Sequence, residues 1–264
     1  MHTELLLFCA LTACLLAGTA FLHLLPKLGT LGKHISDSFC RAPWLDFIVF
    51  YFTILPLILG PFIAGWMGLI TSILSQLATL LLWQSLHEAF HRDAVKGPRI
   101  IKVINKKFGP VRNFSALYVT ALATPIFWMV RMAELTVYPL LVILVRLPPY
   151  KMADWINVSR QKFTGLVGHD LFWCLYCDWM TGVWSLGTEM LRNVESFWCP
   201  IRFYCEKKCE NCSIDFPDVN NGWVAANASM AEVTETLERM YADPKEPQSW
   251  FGHPLRNKDR TTKP

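Results

Sequence analysis

No charged side chain occurs anywhere between Phe47 and Leu86. A helix needs about 20 apolar residues to cross the hydrocarbon core of a bilayer. The run is twice the length of a single span. Backbone groups inside lipid must pair within their own segment, so helices are the expected form. Gly60-Pro61 lies near the middle. Proline cannot continue a helix without losing a hydrogen bond. The pattern predicts two helices, about 44–59 and 62–90, joined by a tight turn.

A second run, Leu5 to Leu25, is also free of Asp, Glu, Lys and Arg. At 1.5 Å per residue it spans about 30 Å, one bilayer core. Gly18 and Ala20 would suit a signal-peptide cleavage site, but Met1-His2-Thr3-Glu4 lacks the positive start of such signals. A retained helix over about 5–25 is expected.

The stretch 114–147 is apolar except for Arg131, Glu134 and Arg146, and Pro125 and Pro139 interrupt it. Arg131 and Glu134 stand three apart and could pair on one helix face. The stretch is either a fourth span or a membrane hairpin. Lys27, Lys33 and Arg41 precede the long apolar run. Arg92, Lys96, Arg99, Lys102, Lys106, Lys107 and Arg112 follow it. Both loops should be cytoplasmic by the positive-inside rule. Lys151, Arg160 and Lys162 come next, and a hairpin keeps them on the same side. In the loop 92–112, basic residues are interleaved with Ile100, Ile101, Val103, Ile104 and Phe108. That mixture predicts an amphipathic helix on the membrane surface.

The expected architecture is mainly α. A membrane domain, 1–147, holds three helices plus the hairpin or fourth span. A Cys-rich helical and irregular extramembrane domain, 148–243, begins at Pro148-Pro149 and is expected in the cytoplasm. The tail 244–264 is rich in Pro, Lys and Arg and is expected to be extended or disordered. Ser229-Met230-Ala231-Glu232 reads as a capping box opening a helix with Met230, Val233, Leu237 and Met240 on one stripe. The composition fits: 53% of residues are hydrophobic and only 17% charged. A net charge of +4, unevenly spread, does not argue for nucleic acid.

Two constellations could carry chemistry. Six of the nine cysteines fall in one region: Cys174, Cys177, Cys199, Cys205, Cys209 and Cys212. Cys174/Cys177 and Cys209/Cys212 have C-x-x-C spacing, which suits two thiolates on one ion. The two pairs could build a four-cysteine zinc site. The local set Cys199, Cys205, Cys209 and Cys212 could instead hold zinc or an iron–sulfur cluster. Three disulfides are the reading if the domain lies on an oxidising side, and buried free thiols are the plain alternative. Cytoplasmic topology favours metal over disulfides. Asp170, Cys174, Cys177 and Asp178 would share one helical face, which could serve as a ligand set.

The second constellation is His87-Glu88-Ala89-Phe90-His91. On a helix the two histidines share a face and can bind one zinc, with the intervening glutamate activating its water. Over these five residues the chain resembles the zincin metalloproteases. The resemblance implies His87 and His91 as ligands and Glu88 as general base. Glu134, His169 and Asp170 are the conceivable third ligands. The same motif resembles the first histidine box of membrane desaturases. Solvated polar residues at a helix end are the plain reading.

The leading functional expectation is an integral membrane subunit or assembly partner with a Cys-rich metal- or cluster-binding domain. It would pass electrons or dock another membrane protein subunit. The expected partners are the lipid bilayer and other membrane protein subunits. Trp173, Tyr176, Trp179, Trp184, Phe197 and Trp198 would supply the docking surface. The alternative is the membrane-bound zinc metalloprotease.

Overall fold

The computed structural model describes residues 2–216, 219–243 and 245, and the expected tail otherwise lies outside them. The chain is mainly helical, with no strand among the described residues. Two compact units interleave in sequence. The first comprises the chain up to Thr124 together with Met152–Gly182, and the second comprises Pro125–Lys151 together with the chain from Val183. Each unit thus takes residues from both sides of Pro148-Pro149.

The first unit is built on α1 (His2–Leu24), followed by α2 (Gly29–Phe39), α3 (Trp44–Thr53) and α4 (Leu55–Phe90). The long apolar run does fold back on itself. The reversal lies at Ala64–Gly65, however, rather than at Gly60-Pro61. Gly65 adopts φ +57° and ψ −140°. That conformation is open to glycine and strained for other residues. Pro61 is accommodated in the last turn before the reversal. Gly60 instead serves close packing: a Cβ at Gly68 would sit 1.9 Å from the Gly60 carbonyl oxygen. The hairpin is antiparallel. Ser72 Oγ donates to the Pro56 carbonyl at 2.7 Å, and Gln76 Nε2 donates to the Phe52 and Thr53 carbonyls at 2.8 Å.

Helix α1 completes a three-segment bundle. Its Thr12 hydroxyl meets the Ser75 hydroxyl at 2.9 Å, and nearer its end His23 accepts the Trp83 indole N–H at 2.9 Å. The sequence offsets of these pairs are nearly constant, so α1 runs parallel to the second arm of the hairpin. On the first arm, Tyr51 Oη donates to the Cys14 carbonyl at 2.5 Å. The interior is rich in small hydroxylated residues: Thr12, Thr71, Ser72, Ser75 and Thr79 are buried, alongside Leu7, Leu11 and Leu15 of α1, while Phe47, Phe62, Trp66 and Met67 are exposed. Such an inside-out distribution suits association in lipid, where apolar burial gives no advantage and small or hydroxylated residues let helices approach. Segments His2–Lys27, Trp44–Phe90 and Pro110–Val145 are long and apolar enough to cross a membrane.

At the end of the bundle come α5 (Arg92–Lys96), α6 (Ile100–Phe108) and α7 (Pro110–Ala121). The expected amphipathic helix in the basic loop is α6, which exposes Ile100, Val103 and Phe108. The next helix, α8 (Thr124–Val145), belongs to the second unit apart from its first residue. The interruption in 114–147 falls at Leu122–Ala123, and α8 continues through Pro139. Helix α8 is long enough to cross a bilayer core by itself, whereas α7 reaches little more than halfway.

A short helix, α9 (Met152–Trp155), precedes α10 (Gly168–Trp198), which belongs to the first unit up to Gly182 and to the second beyond it. In the second unit, Gly187 of α10 lies against α8: a Cβ there would be 2.8 Å from Val130 Cγ1 and 3.2 Å from Glu134 Oε1. Arg131 and Glu134 do pair, at 2.7 Å with both side chains buried. Beyond them Tyr150 Oη donates to Glu189 Oε1 at 3.2 Å and accepts from Asn193 Nδ2.

The remaining helices are α11 (Glu206–Asp215), α12 (Val219–Gly222) and α13 (Met230–Met240). They enclose a small core of Cys212, Phe216, Val219, Trp223 and Met240. The Arg192 guanidinium stacks 4.5 Å from the Phe216 ring and pairs with Glu195. The capping box at Ser229 and Glu232 forms as expected. Of the expected stripe on α13, Val233 and Met240 are buried, Thr236 joins them, and Met230 is exposed.

Candidate functional site

The H-E-x-x-H residues stand at the end of the bundle, where the first unit gathers its ionic groups. Glu88 Oε1 lies 2.7 Å from Arg99 Nη2 and accepts the His169 amide N–H at 3.2 Å. Arg99 also donates through Nε to Asp170 Oδ2 at 3.1 Å. The second Asp170 oxygen accepts the Ile101 amide N–H at 3.1 Å. His87 Nδ1 accepts the Gly168 amide N–H at 3.1 Å. The first amides of α10, which no intrahelical carbonyl can satisfy, are thereby capped by His87 and Glu88.

Desolvation alone would raise the Asp170 carboxyl, but its hydrogen bonds and the Arg99 charge outweigh burial and hold it below the usual aspartate range. Burial likewise works against the Arg99 charge, yet bonds to Glu88 and Asp170 raise its pKa further.

This geometry gives the motif a structural task. A neutral His87 that accepts at Nδ1 carries its proton on Nε2 and has no lone pair left for zinc. The His87 and His91 rings stack at 4.2 Å with planes 17° apart, and His91 Nδ1 lies 2.8 Å from the His87 carbonyl oxygen. Glu88 faces a guanidinium rather than an open water position. The His23 ring lies near them, 5.5 Å from His87. Of the conceivable third ligands, Asp170 and His169 lie in this cluster, and Glu134 is paired with Arg131 in the other unit.

The cysteines are divided between the two units. All nine are free thiols. Cys174 and Cys177 ride on α10 in the first unit, one half-buried and the other exposed. Cys199, Cys205, Cys209 and Cys212 belong to the second unit. Cys209 and Cys212 lie within α11. Backbone amides there are committed to the helix and cannot wrap a metal-bound sulfur. Cys212 is buried in the apolar core, and burial pushes its thiol pKa up; Cys174 is raised for the same reason. Among the described residues, no three His, Cys, Asp or Glu side chains are placed to hold one metal ion. Asp178 is engaged by the Ser159 and Arg160 amides and the Arg160 side chain.

The residue that sequence reasoning passes over is Arg99. It counts among the loop cations, yet its side chain is only 5% exposed and joins two carboxylates. Its one local signal is Gly97-Pro98, which turns the chain just before α6 and sets Arg99 at that helix's N-cap. Of the expected docking aromatics, Trp173 and Trp179 are buried, Tyr176 and Phe197 half-buried, and only Trp184 and Trp198 exposed. Comparison with family profiles, curated proteins and solved structures gives no match.

Proposed function

We propose that this chain is a non-catalytic integral membrane subunit that docks a partner membrane protein. The carrying observation is the surface of α10. Trp184, Leu191 and Trp198 are all more than half exposed and recur every seven residues. Seven-residue spacing keeps side chains on one seam of a helix, the arrangement that receives a second helix. Large rigid aromatics are the usual anchors of such contacts. The occupant that fits is an apolar helix of a partner protein. The polar groups that could have supplied chemistry are engaged with one another around Arg99, which supports a structural part for the bundle end. By loop charge, the end carrying residues 25–43 and 91–112 faces the cytoplasm.

Zinc or an iron–sulfur cluster in the Cys199–Cys212 segment belongs to this proposal only with α11 unwound, since Cys209 and Cys212 sit in a regular helix.

The test is native mass measurement of the complex released from its own membranes in mild detergent. A second, different chain at fixed stoichiometry is expected, lost on Trp184→Ser with Leu191→Ser while thermal stability holds. A homodimer, or a lone 30.3 kDa chain carrying only lipid, would overturn the proposal.

A further inference from the structure

Helix α6 is pinned at both ends, so its outward face is fixed. At its start Arg99 is held by Glu88 and Asp170, and the Ile101 amide N–H donates to Asp170. At its end Asn113 Nδ2 donates to Asn105 Oδ1 at 2.8 Å, which ties α6 to α7. Ile101 and Ile104 are half-buried and border a cleft that Trp173 of α10 also borders. Ile100, Val103 and Lys107 stand at i, i+3 and i+7 and form the outward stripe, with Lys106 next to it. Phe108 and Val111 continue the apolar surface across the turn into α7. Ile100, Val103, Phe108 and Val111 are each more than half exposed. In the chain, α6 lies between two segments apolar enough to cross a membrane, Trp44–Phe90 and Pro110–Val145. Only Gly109 separates it from the second. It is therefore tethered at the height of a membrane surface.

An apolar stripe places a helix on a membrane, but charge decides which lipid it meets. No Asp or Glu occurs between Asp93 and Glu134. Two of the loop cations are engaged within the protein: Lys96 lies 3.9 Å from Asp93, and Lys102 donates to the Val95 and Gly97 carbonyls. Lys106, Lys107 and Arg112 are exposed and have no carboxylate partner among the described residues. The nearby acids do not offset them, since Glu88 and Asp170 are turned onto Arg99.

We propose that the outer face of α6 and the first turn of α7 bind anionic phospholipids. The headgroup phosphates meet Lys106, Lys107 and Arg112, and the acyl chains begin against Ile100, Val103, Phe108 and Val111. A zwitterionic headgroup carries its own cation beside the phosphate and gains little from such a cluster. Lysine and arginine stems cover apolar surface while their charged ends stay in the headgroup layer, so both kinds of contact fit on one short helix. The site is independent of the docking seam on α10, which lies on Val183 and beyond.

The experiment releases the full chain into micelles holding equal amounts of phosphatidylglycerol and phosphatidylcholine. The readout is the ratio of the two lipids retained per chain by native mass measurement. A cation near an anionic surface favours it about fivefold, so the three together should give wild type a preference for phosphatidylglycerol of at least about tenfold. Lys106→Gln with Lys107→Gln should cut that preference about fivefold or more, with Tm unchanged. Lys106→Arg with Lys107→Arg should keep it. Lys207→Gln with Lys208→Gln removes the same charge from α11 and should leave the ratio as it is. Equal retention of the two lipids by wild type would overturn the proposal. An equal fall in both glutamine pairs would also overturn it, because net charge alone would then set the ratio. Displacement of the retained phosphatidylglycerol by inorganic phosphate would do the same, because the site would then be one for a soluble anion.

Discussion

Arg99→Met is the most informative perturbation of the bundle end. The substitution keeps an apolar stem of similar reach and removes only the charge and its donors. Two carboxylates then face each other without a cation: Asp170, 5% exposed at the side chain, and Glu88, 28% exposed. Removing one partner of a buried ion pair costs about 3–5 kcal/mol, because the remaining charge stays desolvated. For a chain of this size each kcal/mol shifts Tm by about 2–4 °C, so a drop of roughly 10 °C is expected. Glu88→Gln is the matched control. Its amide oxygen can still accept from Arg99 and from the His169 amide, so its cost should stay below about 1 kcal/mol. The assay is thermal unfolding in one detergent at one scan rate, for both variants and wild type. If Arg99→Met lowers Tm no more than Glu88→Gln, the guanidinium is not the hub and the reasoning fails.

Three further outcomes follow from the same structure. Asp170 has its pKa lowered in the folded chain. Its contribution is therefore present above the usual aspartate pKa, near about 4, and lost as pH falls through the lower folded value. Asp170→Asn should flatten the acid side of a Tm-against-pH curve, and an unchanged acid limb would contradict the pairing with Arg99. Gly68→Val would drive a side chain into the Gly60 carbonyl, so it should convert the protein to aggregate on gel filtration. Gly29→Ala is the mild counterpart, in open space but at a positive φ. A left-handed backbone costs a non-glycine residue about 1–2 kcal/mol, so that variant should stay dispersed with a small fall in Tm. Maleimide labelling resolved by mass spectrometry should find Cys205 and Cys199 fast and Cys212 slow, since Cys212 is both buried and raised in pKa. Equal rates would remove Cys212 from the core.

Much of the helical arrangement is legible because lipid demands it. The uncharged run from Phe47 to Leu86 is too long for one span, and it folds as a doubled helix. The place of its turn is less legible, because Pro61 looks like the breaker. The single hydrogen bond that Pro61 forgoes does not by itself turn the chain, whereas the strained dihedrals of Gly65 mark the reversal. The capping box at Ser229 can be read directly, because both partners lie within one turn of the chain. The bundle end cannot. Arg99 and Asp170 are 71 positions apart and meet only through tertiary packing. Spacing rules read Glu88 with His87 and His91, its neighbours on the helix, and give no hint that an arginine eleven residues on occupies it. The cysteines are ambiguous in a similar way. C-x-x-C spacing is as compatible with one turn of helix as with a metal knuckle, and Cys209–Cys212 takes the helix.

The most direct test of whether H-E-x-x-H is an anchor or a metal site is zinc stoichiometry. Wild type, the His87→Ala/His91→Ala double variant and Cys209→Ala would each be loaded with excess zinc, dialysed and assayed by mass spectrometry. The expected result is the same zinc content in wild type and the double histidine variant. About one zinc per chain, lost in the histidine variant and kept in Cys209→Ala, would contradict the structural role of the motif and restore the hydrolase.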